Sequence, residues 1–175
     1  GFIKILKKMN ADLKIKNLKR KSGELVGDIY IKNSFLKPII CPKKLVPFAI
    51  DEFPLLFIVA SLVNGISKFY GIGELRHKES DRIKCMEIGL NQIGVKTRST
   101  KDSLIIFGNK NIQEGKTLEI FPNYDHRIAM SFFCLGLLYN GTILVNDFKT
   151  VNTSFSKFLE LMKKIGAKFE VKKRN

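Results

Sequence analysis

The 175-residue sequence predicts an α/β fold in which a few helix–strand units close around a core of buried helices. Amphipathic helices recur, each passing through a turn residue into an alternating strand. Nearly all-apolar helices alternate with them, each stopped by Asn-Gly. The two kinds repeat at an interval near 70 residues, longer than common solenoid repeats.

The amphipathic helices are expected within 2–15, 83–97 and 155–171, followed in each case by a strand. In the middle one, Ile83, Met86, Leu90 and Ile93 keep the spacing of one helix face. Asn10, Gly94 and Gly166 stand at their ends, residue types that accept the left-handed cap conformation. The first apolar helix is expected to open at Asp51-Glu52-Phe53-Pro54 and run through Leu62, with Asn64-Gly65 and the strand 66–70 after it. The second opens at Asp125-His126-Arg127 and runs 128–139, followed by Asn140-Gly141 and the strand 142–145. Asp at each start is read as an amino-terminal cap, and proline is tolerated in a first turn. The Asn-Gly turns lie 76 residues apart and the later caps 72 apart. With the half unit at the start, that makes two and a half copies, read as one domain over 1–175. The opening runs from Gly1 straight into a helix, so a preceding segment is expected to be missing.

Composition bounds the function. A formal charge of +15, from 31 Lys+Arg against 16 Asp+Glu, favours anionic partners. The lysines are scattered, and no zinc-finger spacing or aromatic ribonucleoprotein strand is present, so nucleic acid is not the expected partner. Cys41, Cys85 and Cys134 are odd in number and unpaired in sequence, which fits a reducing cytoplasm and no zinc site. No apolar run reaches the roughly 18 residues of a membrane span.

Polar chemistry gathers at predicted helix starts: Leu75-Arg76-His77-Lys78-Glu79-Ser80-Asp81-Arg82, and Asp125-His126-Arg127. Such termini offer free N–H groups and a positive dipole end to phosphate or carboxylate. Lys78 and Arg82, at i and i+4, would share a helix face and grip one anion together. Spacing alone leaves a second reading open, in which these are solvated ion pairs and helix caps.

The order Asp51-Glu52-Phe53-Pro54, Glu74-Leu75-Arg76-His77-Lys78-Glu79-Ser80-Asp81-Arg82, Asp125-His126-Arg127-Ile128-Ala129-Met130-Ser131 resembles the signature motifs of the 5-enolpyruvylshikimate-3-phosphate synthases. The resemblance runs the length of the chain. It implies an enolpyruvyl-transferase-like fold, with repeated β-α-β-α-β-β units around buried parallel helices. The chain would be the carboxyl-terminal part of a two-domain enzyme, monomeric when complete. The other half would hold a catalytic lysine and much of the shikimate phosphate site. The implied reaction moves the enolpyruvyl group of phosphoenolpyruvate to the 5-hydroxyl of shikimate 3-phosphate, releasing phosphate, with no cofactor and no metal. By that resemblance Asp51 holds the ring hydroxyls and acts as base, Lys78 contacts shikimate 3-phosphate, and Glu79 shuttles a proton. Arg82 and Arg127 clamp phosphoenolpyruvate, while Asp125 and His126 shape their loop.

Thr153 stands where some relatives carry a lysine on phosphoenolpyruvate, and is left out of the expected site; His77 is read as incidental. Two alternatives remain: a non-catalytic binding domain that kept the fold, and the sister transferase acting on a nucleotide sugar.

Overall fold

A computed structural model describes residues 1–109 and 115–172. Helix α1 spans Phe2–Lys8 and buries Ile5 and Leu6. Asn10 then takes φ 71, reversing the chain into strand β1, Leu13–Lys21. Strand β2, Glu24–Ile31, folds back antiparallel on it. The two-residue turn Ser22-Gly23 has φ 50 and 85, the positive angles that match the twist of paired strands.

The next unit is complete. Ile40 bridges in parallel to Lys68. Helix α2, Phe53–Ser61, runs to strand β3, Gly65–Tyr70. Helix α3, Arg82–Gln92, leads through Gly94 at φ 81 to β4, Lys96–Thr100, and β5, Ser103–Gly108. The sheet order is β3-β5-β4, all antiparallel. The unit then restarts: β6, Thr117–Ile120, pairs in parallel with β7, Thr142–Val145, across helix α4, His126–Gly136. Short helices α5, Asn152–Phe155, and α6, Phe158–Lys164, follow. Two such starts, the first opened by the single parallel bridge Ile40–Lys68 and the second by the parallel pair β6–β7, give the expected repeated units.

The all-apolar helix α2 is the centre of the core. Phe53 and Phe57 lie edge-to-face with each other and with Phe69 of β3, at centroid distances of 5.0–5.8 Å, a geometry aromatic rings favour. Helices α3 and α4 cross so closely that a Cβ on Gly89 would fall 2.1 Å from the Phe132 ring. A second cluster on the far face of α4 packs Ala129 with Val151 and Phe158. Burial pushes the Cys41 thiol up to about 11 and raises Cys134 as well, as expected for thiols acting as packing. No helix among the described residues is long and apolar enough to cross a membrane.

Four expectations change. Asp51 does not cap α2: it lies in a 3-10 turn, Ile50–Glu52, and Glu52 takes the cap position without its side chain bonding the helix's first amides. Its carboxylate is thereby left for cations elsewhere. Helix α4 ends at Gly136, three residues before Tyr139. The last amphipathic helix is broken at Lys157 (φ −92, ψ 8) into α5 and α6. Residues 167–171 form no strand, because no strand among the described residues offers them a ladder; Phe169 instead meets Phe133 at 5.2 Å.

Candidate active site

Three helix starts converge. Asp51 and Glu52 sit in the turn that enters α2, Arg82 is the first residue of α3, and Arg127 lies in the first turn of α4. The approach to α3 is strapped to the β4–β5 hairpin. Arg76 holds Asp81 at 2.7 Å and donates to the carbonyls of Thr100 and Lys101. Asp102 accepts from the amides of Gly71 and Gly73. The straps aim Lys78, Glu79 and Arg82 at one place.

Arg82 is the hub. Its Nε donates to Asp125 Oδ2 at 2.8 Å, Nη1 to Asp51 Oδ1 at 3.0 Å, and Nη2 to Glu79 Oε2 at 2.6 Å. Asp51 and Glu79, to which the family resemblance gives the base and the proton shuttle, therefore share one guanidinium. The Arg82 side chain is 1% exposed, and a buried charge persists only when paired. Burial works against the ionised guanidinium; the hydrogen bond and charge of Asp125, with Glu79 and Asp51, outweigh it and raise the pKa.

Around this hub the other cations are also engaged. Arg127 Nη1 donates to the Asp51 carbonyl at 3.0 Å and to Glu52 Oε1 at 3.4 Å, and Nη2 lies 4.0 Å from Asp51 Oδ2. Lys78 pairs with Glu74 and stands 3.7 Å from Asp51 Oδ1; the Glu74 bond is the main cause of its raised pKa. His126 Nδ1 is 4.0 Å from Glu79 Oε1. Partial burial would raise the Asp51 carboxyl. Arg127, the Arg82 hydrogen bond and Lys78 overcome that and hold it below the usual carboxylate range.

Two sequence expectations meet this geometry differently. Lys78 and Arg82 do not share a helix face, since α3 begins at Arg82 and Lys78 is extended; they meet on Asp51 instead. The free N–H groups expected at helix starts are partly taken. Asp81 accepts from Lys84 N, and Asp125 accepts from Arg127 N and Ile128 N. Asp125 does more than shape a loop: fully buried, it caps α4, pairs with Arg82 and accepts from Ser80 Oγ at 3.1 Å. Sequence reasoning also passed over Glu52 as a partner of Arg127. Its signal was adjacency to Asp51, and the pairing spans 75 positions. Thr153 donates to the Thr150 carbonyl within its own turn, and His77 is exposed. Among the described residues no group of three or more His, Cys, Asp or Glu is placed to hold a metal ion. The arrangement can present paired carboxylates beside guanidinium groups, with Arg127 and Lys78 the solvent-reaching cations.

Comparison with known proteins agrees with the motifs. The model of the family described as EPSP synthase (3-phosphoshikimate 1-carboxyvinyltransferase) matches residues 1–162. The chain is 42% identical over 174 residues to the 3-phosphoshikimate 1-carboxyvinyltransferase of Zymomonas mobilis, covering 98% of this chain and 38% of that protein. The enzyme of that name from Nitrosococcus oceani is 44% identical over 161 residues, covering 92% and 35%. Among solved structures, EPSP synthase from Acinetobacter baumannii superimposes with a TM-score of 0.89 at 43% identity, over 98% of this chain and 40% of that one. The enolpyruvyl transferase NikO from Streptomyces tendae, at 15% identity and a TM-score of 0.62, shares the fold. The chain thus spans less than half the length of these relatives, and it belongs to the EPSP synthase family.

Proposed function

We propose that the chain is the carboxyl-terminal part of a cytoplasmic 3-phosphoshikimate 1-carboxyvinyltransferase, one domain that contributes half of a shared active site. The observation that carries this reading is the convergence of Asp51 and Glu79 on Arg82, with Arg127 and Lys78 beside them. The substrates would be phosphoenolpyruvate and shikimate 3-phosphate, and the partner the remaining half of the same enzyme.

In the proposed reaction the 5-hydroxyl oxygen attacks C2 of phosphoenolpyruvate while C3 gains a proton. The C2–O bond to phosphate then breaks, and C3 returns its proton as the enolpyruvyl double bond reforms. Asp51 holds the sugar-ring hydroxyls and takes the 5-hydroxyl proton, and Glu79 serves the proton exchange at C3. Lys78 meets shikimate 3-phosphate. Arg127 and Arg82 grip phosphoenolpyruvate by exchanging carboxylate contacts for phosphate and carboxylate oxygens of the substrate. That exchange has a consequence for the base. An anion on Arg127 and Arg82 offsets the charges that hold the Asp51 carboxyl low, so Asp51 becomes more basic as substrate arrives.

Closing two half-sites around two substrates can be worth roughly 7 to 11 kcal/mol, and one half cannot provide it. The chain alone is therefore expected to release no detectable phosphate. Mixed with the complementary part of a homologous EPSP synthase, it is expected to regain phosphate release that depends on both substrates. Robust turnover by the chain alone, or none from a folded two-part complex, would sink the proposal.

A further inference from the structure

The sheet β3-β5-β4 has two unlike faces. On the inner one, Ser67 and Phe69 of β3 and Leu104 and Ile106 of β5 are wholly buried. Thr97 and Ser99 of β4 donate there to the Glu87 carboxylate of α3. Alternation sends Lys68 and Tyr70, Ile105 and Phe107, and Lys96 and Arg98 to the outer face. Register sets Phe107 between Ile66 and Lys96, and Ile105 between Lys68 and Arg98.

The outer face is cationic and aromatic, and its three strands carry no Asp or Glu. In the candidate active site Lys78, Arg82 and Arg127 are each held by a carboxylate. Among the described residues Lys68, Lys96 and Arg98 form no ion pair. Lys96 Nζ lies instead 5.5 Å from the centroid of the Phe107 ring, a contact that is weak at an exposed site. The rings of Tyr70 and Phe107 are half-buried in the sheet, while Lys96 and Arg98 stand exposed. Each ring has a cation beside it: Lys96 opposite Phe107, and Lys68 two positions before Tyr70 on the same face. The exposed aliphatic side chains, Ile40 and Ile66, lie toward the β3 edge, away from Lys96 and Arg98 on β4.

We propose that this face binds single-stranded nucleic acid, with bases stacked on Tyr70 and Phe107 and phosphates on Lys68, Lys96 and Arg98. Flat rings set among cations suit a ligand that alternates planar bases with anions. A duplex hides the faces of its bases and leaves the rings nothing to stack on. A bilayer fits worse as well, because its apolar interior lies beneath its phosphates. Rings that entered it would have to stand out beyond the cations, and here they are the half-buried groups. The charge of +15 adds long-range attraction for a polyanion. A ribonucleoprotein motif is read along one strand; this platform exists only once three strands pair, so the sequence does not display it. None of the candidate active-site residues lies on these strands, and the binding stands or falls separately from the catalytic reading.

The test is fluorescence anisotropy of the chain with an oligothymidylate of about 12 nucleotides and with a duplex of equal length, beside sedimentation with phosphatidylglycerol vesicles. At low salt the single strand is expected to bind with a Kd of roughly 1 to 100 µM, at least about fivefold more tightly than the duplex. Its log affinity should fall with log salt at a slope of about −2, as for three phosphate contacts on a single strand. Lys96→Glu/Arg98→Glu should weaken binding at least about tenfold. Lys14→Glu/Lys19→Glu, the same change of charge on the β1–β2 hairpin, should weaken it less than about threefold. Tyr70→Leu and Phe107→Leu should each cost about fivefold or more, compared only where the variant melts at the temperature of the parent. No saturable binding, or a duplex bound as tightly as the single strand, overturns the proposal. Equal losses from the two charge variants overturn it in favour of net charge alone. Vesicle binding that Lys96→Glu/Arg98→Glu abolishes, without oligonucleotide binding, overturns it in favour of a membrane surface.

Discussion

Arg82 and Asp125 form an ion pair sealed from solvent, with Nε 2.8 Å from Oδ2 and side chains 1% and 0% exposed. It ties the first residue of α3 to the cap of α4 across 43 positions. Removing Asp125 leaves the buried guanidinium with only the half-exposed Asp51 and Glu79 carboxylates as partners, and strips the buried Nε of its acceptor. Asp125→Ala is expected to cost about 3 to 5 kcal/mol in denaturant unfolding. The double variant Arg82→Met/Asp125→Ala should fall short of the summed single losses by at least about 1 kcal/mol. Simple additivity would show that the two act independently.

Stability should also respond to acid through Asp51. Its folded pKa is lowered by the neighbouring cations, so the unfolded state binds protons more readily as pH falls. The stabilisation is fully present above the unfolded value of about 3.9. It is lost as pH drops from there through the folded pKa. Unfolding midpoints measured between neutral pH and the acid range should decline more shallowly below about pH 4 in Asp51→Asn than in the parent chain. Identical slopes would mean that the cations do not act on Asp51.

The contact between Gly89 and Phe132 is expected to be intolerant of a single methyl group. A Cβ would fall 2.1 Å from a fully buried ring, so Gly89→Ala must push α3 and α4 apart or force the ring off its rotamer. Overpacking of this kind costs about 1 to 3 kcal/mol. Gly89→Ala/Phe132→Leu should recover part of the loss, because the smaller side chain clears the new Cβ. An unchanged melting temperature for Gly89→Ala would contradict the close crossing.

Arg127 should decide phosphoenolpyruvate affinity in the reconstituted enzyme. Loss of a charged hydrogen-bond partner costs about 1.5 to 3 kcal/mol, roughly ten- to more than hundredfold in affinity. Arg127→Ala should raise the phosphoenolpyruvate KM by that factor, and Arg127→Lys should restore it only in part, lacking the planar fork. Equal KM values for the three proteins would make Arg127 a structural partner of Glu52 and Asp51 alone.

The sequence by itself determined the repeating units, because helix periodicity, Asn-Gly stops and left-handed caps are local properties. Asn10, Gly94 and Gly166 all adopt the positive φ their types suggested, and Ile83, Met86, Leu90 and Ile93 are all wholly buried. The motif residues Asp51, Lys78, Glu79, Arg82 and Arg127 were likewise legible as a set, since their types and order carry the family resemblance. Only the tertiary structure decided who meets whom. Arg82 reaches Asp125 and Asp51 over 43 and 31 positions, a pairing set by how α2, α3 and α4 cross and invisible to any local pattern. The same holds where local reading failed. Asp51 has the chemistry of a cap, yet the 3-10 turn entering α2 turns its carboxylate toward cations from other helices. Residues 167–171 alternate like a strand, yet a strand exists only where a neighbour supplies the other half of its hydrogen bonds.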